Sequence, residues 1–265
     1  MTVDLGTPFL RWRVEGGVAY CTIDRPERRN AMTASMYVGV RRALQVVNGS
    51  PKLHALVITG TGDVFCPGGE MGGDHSDGSF GMEAAAAFGN EIVPFEAIRK
   101  SRKPVVAMVN GMCQGGGLLM TLVSDVAISS DRAMFRVPEV LRGVVDANYA
   151  CYLPAHVGIA RARDLILTAR RFDAAEALDI GVVARVVPHD ELTAAVRELL
   201  RELLRGAPEA RWQMKRIVNE RYGAVDQMSL DASIGSPEMI EGFQAFVERR
   251  APNWVPDGYA PDGRA

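Results

Sequence analysis

Apolar positions along the chain recur with two periods. In "VAYCTIDRP" (residues 18–26) a β-branched and aromatic run stops at Pro26, as a strand does. "TASMYVGVRRALQVVNGS" (33–50) instead carries apolar side chains near helical spacing, from a Thr33 cap to Gly49. "LHALVITG" (53–60) is a continuous apolar run closed by glycine, the pattern of a strand buried on both faces, and a glycine-rich loop follows it. The spacing predicts a helix over 83–100 and a second buried strand in "KPVVAMVNG" (103–111). A helix opened by Gly115, Gly116 and Gly117 should run through "LLMTLVSD" (118–125), with a further strand in "VAISS" (126–130).

Strands alternating with crossovers of ten or more residues imply parallel pairing and an α/β core, ending near "GVVARVVP" (181–188). From Asp190 onward the pattern is almost wholly helical. It breaks at "GAP" (206–208), and a last helix starts at Ser236-Pro237 and stops before Pro252. Two regions follow: a core over 1–190 and a helical region over 191–265. By pattern alone the second suits a lid, a packing layer or a subunit interface equally.

Composition narrows the function classes. With 30 lysines and arginines against 32 acids, the overall field gives no reason to expect nucleic acid or an anionic membrane, so an anionic ligand must find local positive charge. Cys21, Cys66, Cys113 and Cys151 lie far apart in or beside apolar segments, without zinc-site spacing or the density of a secreted scaffold. A reducing cytoplasm is the expected compartment. The start of the chain lacks the pattern of a secretory signal. The most apolar region, 105–128, is interrupted by Asn110, Gln114, three glycines, Ser124 and Asp125, too polar for a bilayer helix.

Two glycine loops carry the candidate chemistry. "GTGDVFCPGGEMGG" (60–73) leaves one buried strand, and "NGMCQGGG" (110–117) leaves the next and enters a helix. Ligands of open α/β proteins bind at such carboxyl ends, and a helix N-terminus offers unpaired N–H groups to a developing oxyanion. Neither loop has the dinucleotide fingerprint, and there is no phosphate-binding Gly-Lys-Ser/Thr. Tight turns and close helix packing explain glycine clusters as well as an oxyanion site does.

"RPERRNAM", "ITGTGDVFCPGGEM", "KPVVAMVNGMCQGGGLLMTLVSDVAIS", "FRVPEVLRG" and "GIARARDLILTARRFDAAEALDIGVVARVVP", in this order and spacing, resemble the enoyl-CoA hydratase/isomerase family, the crotonases, over residues 10–254. The resemblance implies a crotonase-like β-β-α superhelix core with a helical C-terminal trimerisation region, assembled as a homotrimer or a dimer of trimers. It also implies an acyl-CoA substrate and no separate cofactor or metal, coenzyme A being part of the substrate. By similarity the thioester oxygen rests between the peptide N–H groups of Gly69 and Gly116. Cys66, Gly68, Glu70 and Met71 of the same loop would line the substrate. Arg25, Arg28, Arg29 and, at the far end, Arg249 would supply charge for the CoA phosphates.

Hydratases of this family use two glutamates. Here Leu119 stands at the first position and Glu139 keeps the second. A leucine cannot transfer a proton, so the expectation is single-acid, isomerase-type shuttling by Glu139, with a carboxyl raised toward neutrality by apolar walls. Asp146 is a further candidate, for hydrolysis or for carbon–halogen or carbon–carbon cleavage, and equally a helix N-cap. Asp74, His75, Asp77 and Glu91 are weaker substitutes for the missing acid. A non-catalytic acyl-CoA-binding or scaffold protein is the alternative from another class.

Overall fold

The structure is a computed structural model that describes residues 3–70 and 92–255. Met71, Asp74, His75, Asp77 and Glu91 lie outside the described residues, as does the first half of the helix expected over 83–100. The described helices are α1 (Ala34–Gly49), α2 (Phe95–Arg99), α3 (Gly116–Val123), α4 (Ala147–Val157), α5 (Ile159–Thr168) and α6 (Ala174–Asp179). Four more follow: α7 (Leu192–Leu204), α8 (Pro208–Asn219), α9 (Gln227–Ser233) and α10 (Pro237–Glu248). None of them is long and apolar enough to cross a membrane.

Among the described residues, ten strands form two sheets. The larger has the order β1 (Leu10–Glu15), β2 (Val18–Ile23), β3 (Ala55–Gly60), β5 (Val105–Val109), β7 (Val126–Ser130) and β10 (Arg185–Val187). Only its β1–β2 pair, a hairpin turning at Gly16 and Gly17, is antiparallel. The smaller sheet orders β4 (Val64–Cys66), β6 (Met112–Gln114), β8 (Met134–Arg136) and β9 (Phe172–Asp173). Consecutive strands β3/β4, β5/β6 and β7/β8 thus divide between the two sheets, so the chain advances by repeated β-β units. After β5 and β6 comes α3, and its crossover returns the chain in parallel to the large sheet at β7.

Burial explains the layers. Strands β3 and β5 are apolar on both faces because both are covered. Leu56, Ile58, Val105 and Ala107 point into the main core with α1 and α3. Val18, Tyr20, Val57 and Val106 face the other way, against Leu192, Val196, Leu199 and Leu200 of α7. Helix α8 is pinned to the core by a charge: Lys215 Nζ donates to Asp125 Oδ2 at 2.9 Å and to the Ile98 carbonyl at 3.1 Å.

Candidate active site

The two glycine loops meet behind the ends of the parallel strands. Gly68, at φ +103°, lies so close to the second loop that a Cβ on it would stand 3.3 Å from Gly116 N and 3.4 Å from Gly115 Cα. Gly69 forms a parallel bridge with Met32: Met32 N–H donates to Gly68 O at 2.9 Å, and Glu70 N–H donates to Met32 O at 2.8 Å. Pairing of that kind engages the neighbours of Gly69 and turns its own N–H away from Met32. Gly116 is the first residue of α3, where a backbone N–H has no partner inside the helix. Gly115, at φ +50°, is its N-cap and has no side chain to occupy that N–H.

Each glycine of the triplet has a separate physical reason. A Cβ on Gly115 would come within 3.1 Å of Glu139 Oε1. On Gly116 it would overlap the Tyr37 hydroxyl and stand 3.2 Å from the ring carbon bearing it. On Gly117 it would overlap the Cys66 carbonyl and lie 2.7 Å from Cys66 Cβ, so this glycine lets α3 pack against β4. Tyr149 Oη donates to Gly115 O at 2.6 Å and fixes the turn from below.

Glu139 opens the 3-10 turn Glu139–Arg142, directly after Pro138. Its Oε2 is buried and has no hydrogen-bond partner among the described residues. Burial first, and then the Asp146 charge, push its carboxyl well above the ordinary range, with Arg142 opposing weakly. Asp146 caps α4, accepting from Asn148 N at 2.9 Å and from Asn148 Nδ2 at 3.0 Å. Burial raises this carboxyl too, against those hydrogen bonds. Leu119 is 1% exposed and belongs to the main core, beside Leu118. Burial pushes the Cys66 thiol up to about 12, which keeps it protonated and non-nucleophilic.

The basic residues behave differently from one another. Arg25 is largely buried: its guanidinium donates to Glu70 Oε1 at 2.9 Å and to Ala31 O at 3.1 Å, over the Phe9 ring. Arg28 is exposed, with Nε 3.9 Å from Glu70 Oε1. Arg29, in a left-handed conformation, ends the short turn after Pro26 and donates to Met112 Sδ at 3.7 Å. Arg249 ends α10, also left-handed and exposed.

Sequence reasoning missed Met32, Tyr37 and Tyr149 at this site. Tyr37 shares the apolar face of α1 with Met36 and Val40, so its spacing signals only core.

The profile of the enoyl-CoA hydratase/isomerase family matches residues 13–257. The chain belongs to that family of enzymes. Among curated relatives of this family, the mevalonyl-coenzyme A hydratase of Aspergillus fumigatus is 32% identical over 89% of this chain and 90% of its own. A carnitinyl-CoA dehydratase of Salmonella arizonae is 34% identical over 92% of this chain and 97% of its own. A solved enoyl-CoA hydratase of Mycobacterium avium subsp. paratuberculosis superposes with a TM-score of 0.80 at 29% identity, covering 94% of this chain and 99% of that one. A carnitinyl-CoA hydratase of Mycobacterium avium gives 0.78 at 28% identity, over 94% and 98%. The mixed α/β architecture is therefore that of the crotonase-like hydratase/isomerase family, its helical C-terminal region included.

Proposed function

We propose that the protein transforms an acyl-CoA thioester through an enolate, with the thioester oxygen between the N–H groups of Gly69 and Gly116 and Glu139 as the single proton carrier. One observation carries this reading: the Glu139 carboxylate, its Oε2 buried and without a partner among the described residues, stands against the glycine triplet, while position 119 holds a core leucine. In an isomerisation the Glu139 carboxylate takes a C2 proton from a 3-enoyl thioester, and the C–H electron pair enters a dienolate whose charge falls on the thioester oxygen. The carboxylic acid then returns the proton to C4, leaving a 2-enoyl thioester, so no oxidant or second acid is needed. A carboxyl raised by burial suits both halves: it is a stronger base than an ordinary glutamate and holds its proton until C4 takes it.

The names of the relatives favour a second reading with the same residue, dehydration of a 3-hydroxyacyl-CoA. Glu139 would take the C2 proton, and the resulting acid would hand it to the leaving C3 hydroxyl, which departs as water. Exposed Met214, Ile217, Val218, Ile240 and Val247 on α8 and α10 support assembly through the C-terminal helices, as a homotrimer or a dimer of trimers. Exposed Arg28 and Arg249 remain the candidates for the CoA phosphates.

The test supplies purified protein with 3-enoyl-, 2-enoyl- and 3-hydroxyacyl-CoA, beside Glu139→Gln. Turnover of the 3-enoyl or 3-hydroxyacyl thioester should fall about 10²- to 10⁴-fold in the variant. Full activity of Glu139→Gln would overturn the single-acid reading. Tight CoA binding with no turnover of any thioester would favour a binding protein.

A further inference from the structure

We propose that the Tyr37 hydroxyl is a third donor to the thioester oxygen, beside the Gly69 and Gly116 peptides; this rests on the thioester reading above. The phenol reaches the site from α1, an element belonging to neither glycine loop. Its Oη occupies the space a side chain on Gly116 would take, and it lies 4.0 Å from where a Cβ on Gly69 would stand. One hydroxyl thus borders both peptides whose N–H groups carry the proposed chemistry.

Three further observations give this position a function beyond filling volume. The ring is held: Tyr37 is 1% exposed, and Phe95 meets it edge-on with centroids 6.3 Å apart and planes at 76°. The helix that carries it begins beside the Met32–Gly69 bridge and is capped by Thr33, so one short segment positions both Gly69 and Tyr37. Finally, burial and the nearby Cys66, Glu139 and Asp146 push the phenol well above its ordinary range, so it stays neutral and keeps its proton to donate. A phenylalanine would fill the same volume without the cost of burying a hydroxyl. As charge grows on the thioester oxygen, a fixed neutral donor in an apolar site stabilises it without reorganising, and the phenolic proton stays on Tyr37 throughout.

The experiment compares wild type with Tyr37→Phe, using turnover of the thioester found active above and the absorption of bound 4-dimethylaminocinnamoyl-CoA, which moves to the red as its carbonyl is polarised. Tyr37→Phe should lower kcat about 100-fold with KM within a few-fold of wild type, and should reduce the red shift of the probe. An unchanged red shift with unchanged kcat would overturn the proposal. Should Tyr37→Phe not fold, 3,5-difluorotyrosine incorporated at position 37 is the second variant. Its more acidic phenol should deepen the red shift, and no change there refutes the role. If Tyr37→Phe abolishes the extra shift while Glu139→Gln keeps full activity, the proton-carrier assignment fails and the donor stands. If wild type itself neither shifts the probe nor turns over any thioester, both fall.

Discussion

Lys215 and Asp125 form a largely enclosed ion pair, Nζ to Oδ2 at 2.9 Å, with side chains only 10% and 18% exposed. The same Oδ2 accepts from Val105 N at 2.7 Å, so one carboxylate ties α8 to the start of β5. Burial pushes Asp125 up and Lys215 down, each opposed by the partner's charge. Lys215→Met should therefore cost about 3 kcal/mol of stability by leaving a buried carboxylate unpaired. The double variant Asp125→Asn/Lys215→Met should recover most of that loss. Urea unfolding of the three proteins at pH 7 checks this, and a single-variant loss below about 0.5 kcal/mol would show the pair to be solvated.

Gly116 is crowded by Tyr37 before any substrate arrives. Gly116→Ala should lose about 1–3 kcal/mol through overpacking. In a Tyr37→Phe background, where the overlapping hydroxyl is gone, the loss should shrink by at least about 0.5 kcal/mol. Equal losses in both backgrounds, measured by denaturant unfolding, would place the obstacle elsewhere.

Restoring the first acid separates the two chemistries of the family. Leu119→Glu should raise hydration of a 2-enoyl-CoA at least about 10-fold over wild type, whereas Leu119→Gln, polar but unable to shuttle a proton, should not. Both should lose about 2–4 kcal/mol, because residue 119 lies in the main core. Robust hydration by wild type, unimproved in Leu119→Glu, would show that Glu139 alone handles water.

Proton linkage gives a prediction with a definite sign. The folded Glu139 carboxyl titrates above its unfolded value, so across that interval the folded state binds more protons and stability falls as pH rises. Glu139→Gln removes this loss. Its advantage in Tm over wild type should be smallest near pH 4, grow as the unfolded glutamate ionises, and level off above the folded pKa. An advantage that does not change with pH would mean that burial does not perturb this carboxyl. In kcat/KM the acid limb of wild type should lie above the ordinary carboxylate range.

How much of this was legible in the sequence follows from element length and exposure. Strands β3 and β5 were readable because both faces are covered and the apolar run is continuous, and β7 through the apolar start of "VAISS". Strand β1 was not: it is an edge strand whose Arg11, Arg13 and Glu15 alternate with half-buried neighbours, and "LRWRVE" carries too little apolar contrast. Strands β4, β6 and β8 have three residues each, the first two inside the glycine loops, below the length at which a period of two can be seen. Of the expected helix over 83–100, residues 92–100 are described, and only Phe95–Arg99 is helical there, starting after Pro94. Of the residues proposed for the site, Gly69, Gly116, Leu119 and Glu139 are read from motif resemblance. Tyr37 was invisible because an aromatic residue on the buried face of a helix looks the same whether its hydroxyl meets a substrate or a neighbour.

The bridge between Met32 and Gly69 also bears on the order in which the protein is made. Gly69 is aimed by a residue that leaves the ribosome well before it, Gly116 follows much later, and the carbonyl beside Gly116 is held by Tyr149, later still. Met32, Gly69, Gly116 and Tyr149 together span residues 32–149, so the proposed thioester site is complete only after more than half of the 265-residue chain has emerged. Ligand capture during synthesis is thereby a report on the closure of these long loops, not on the folding of any one of them.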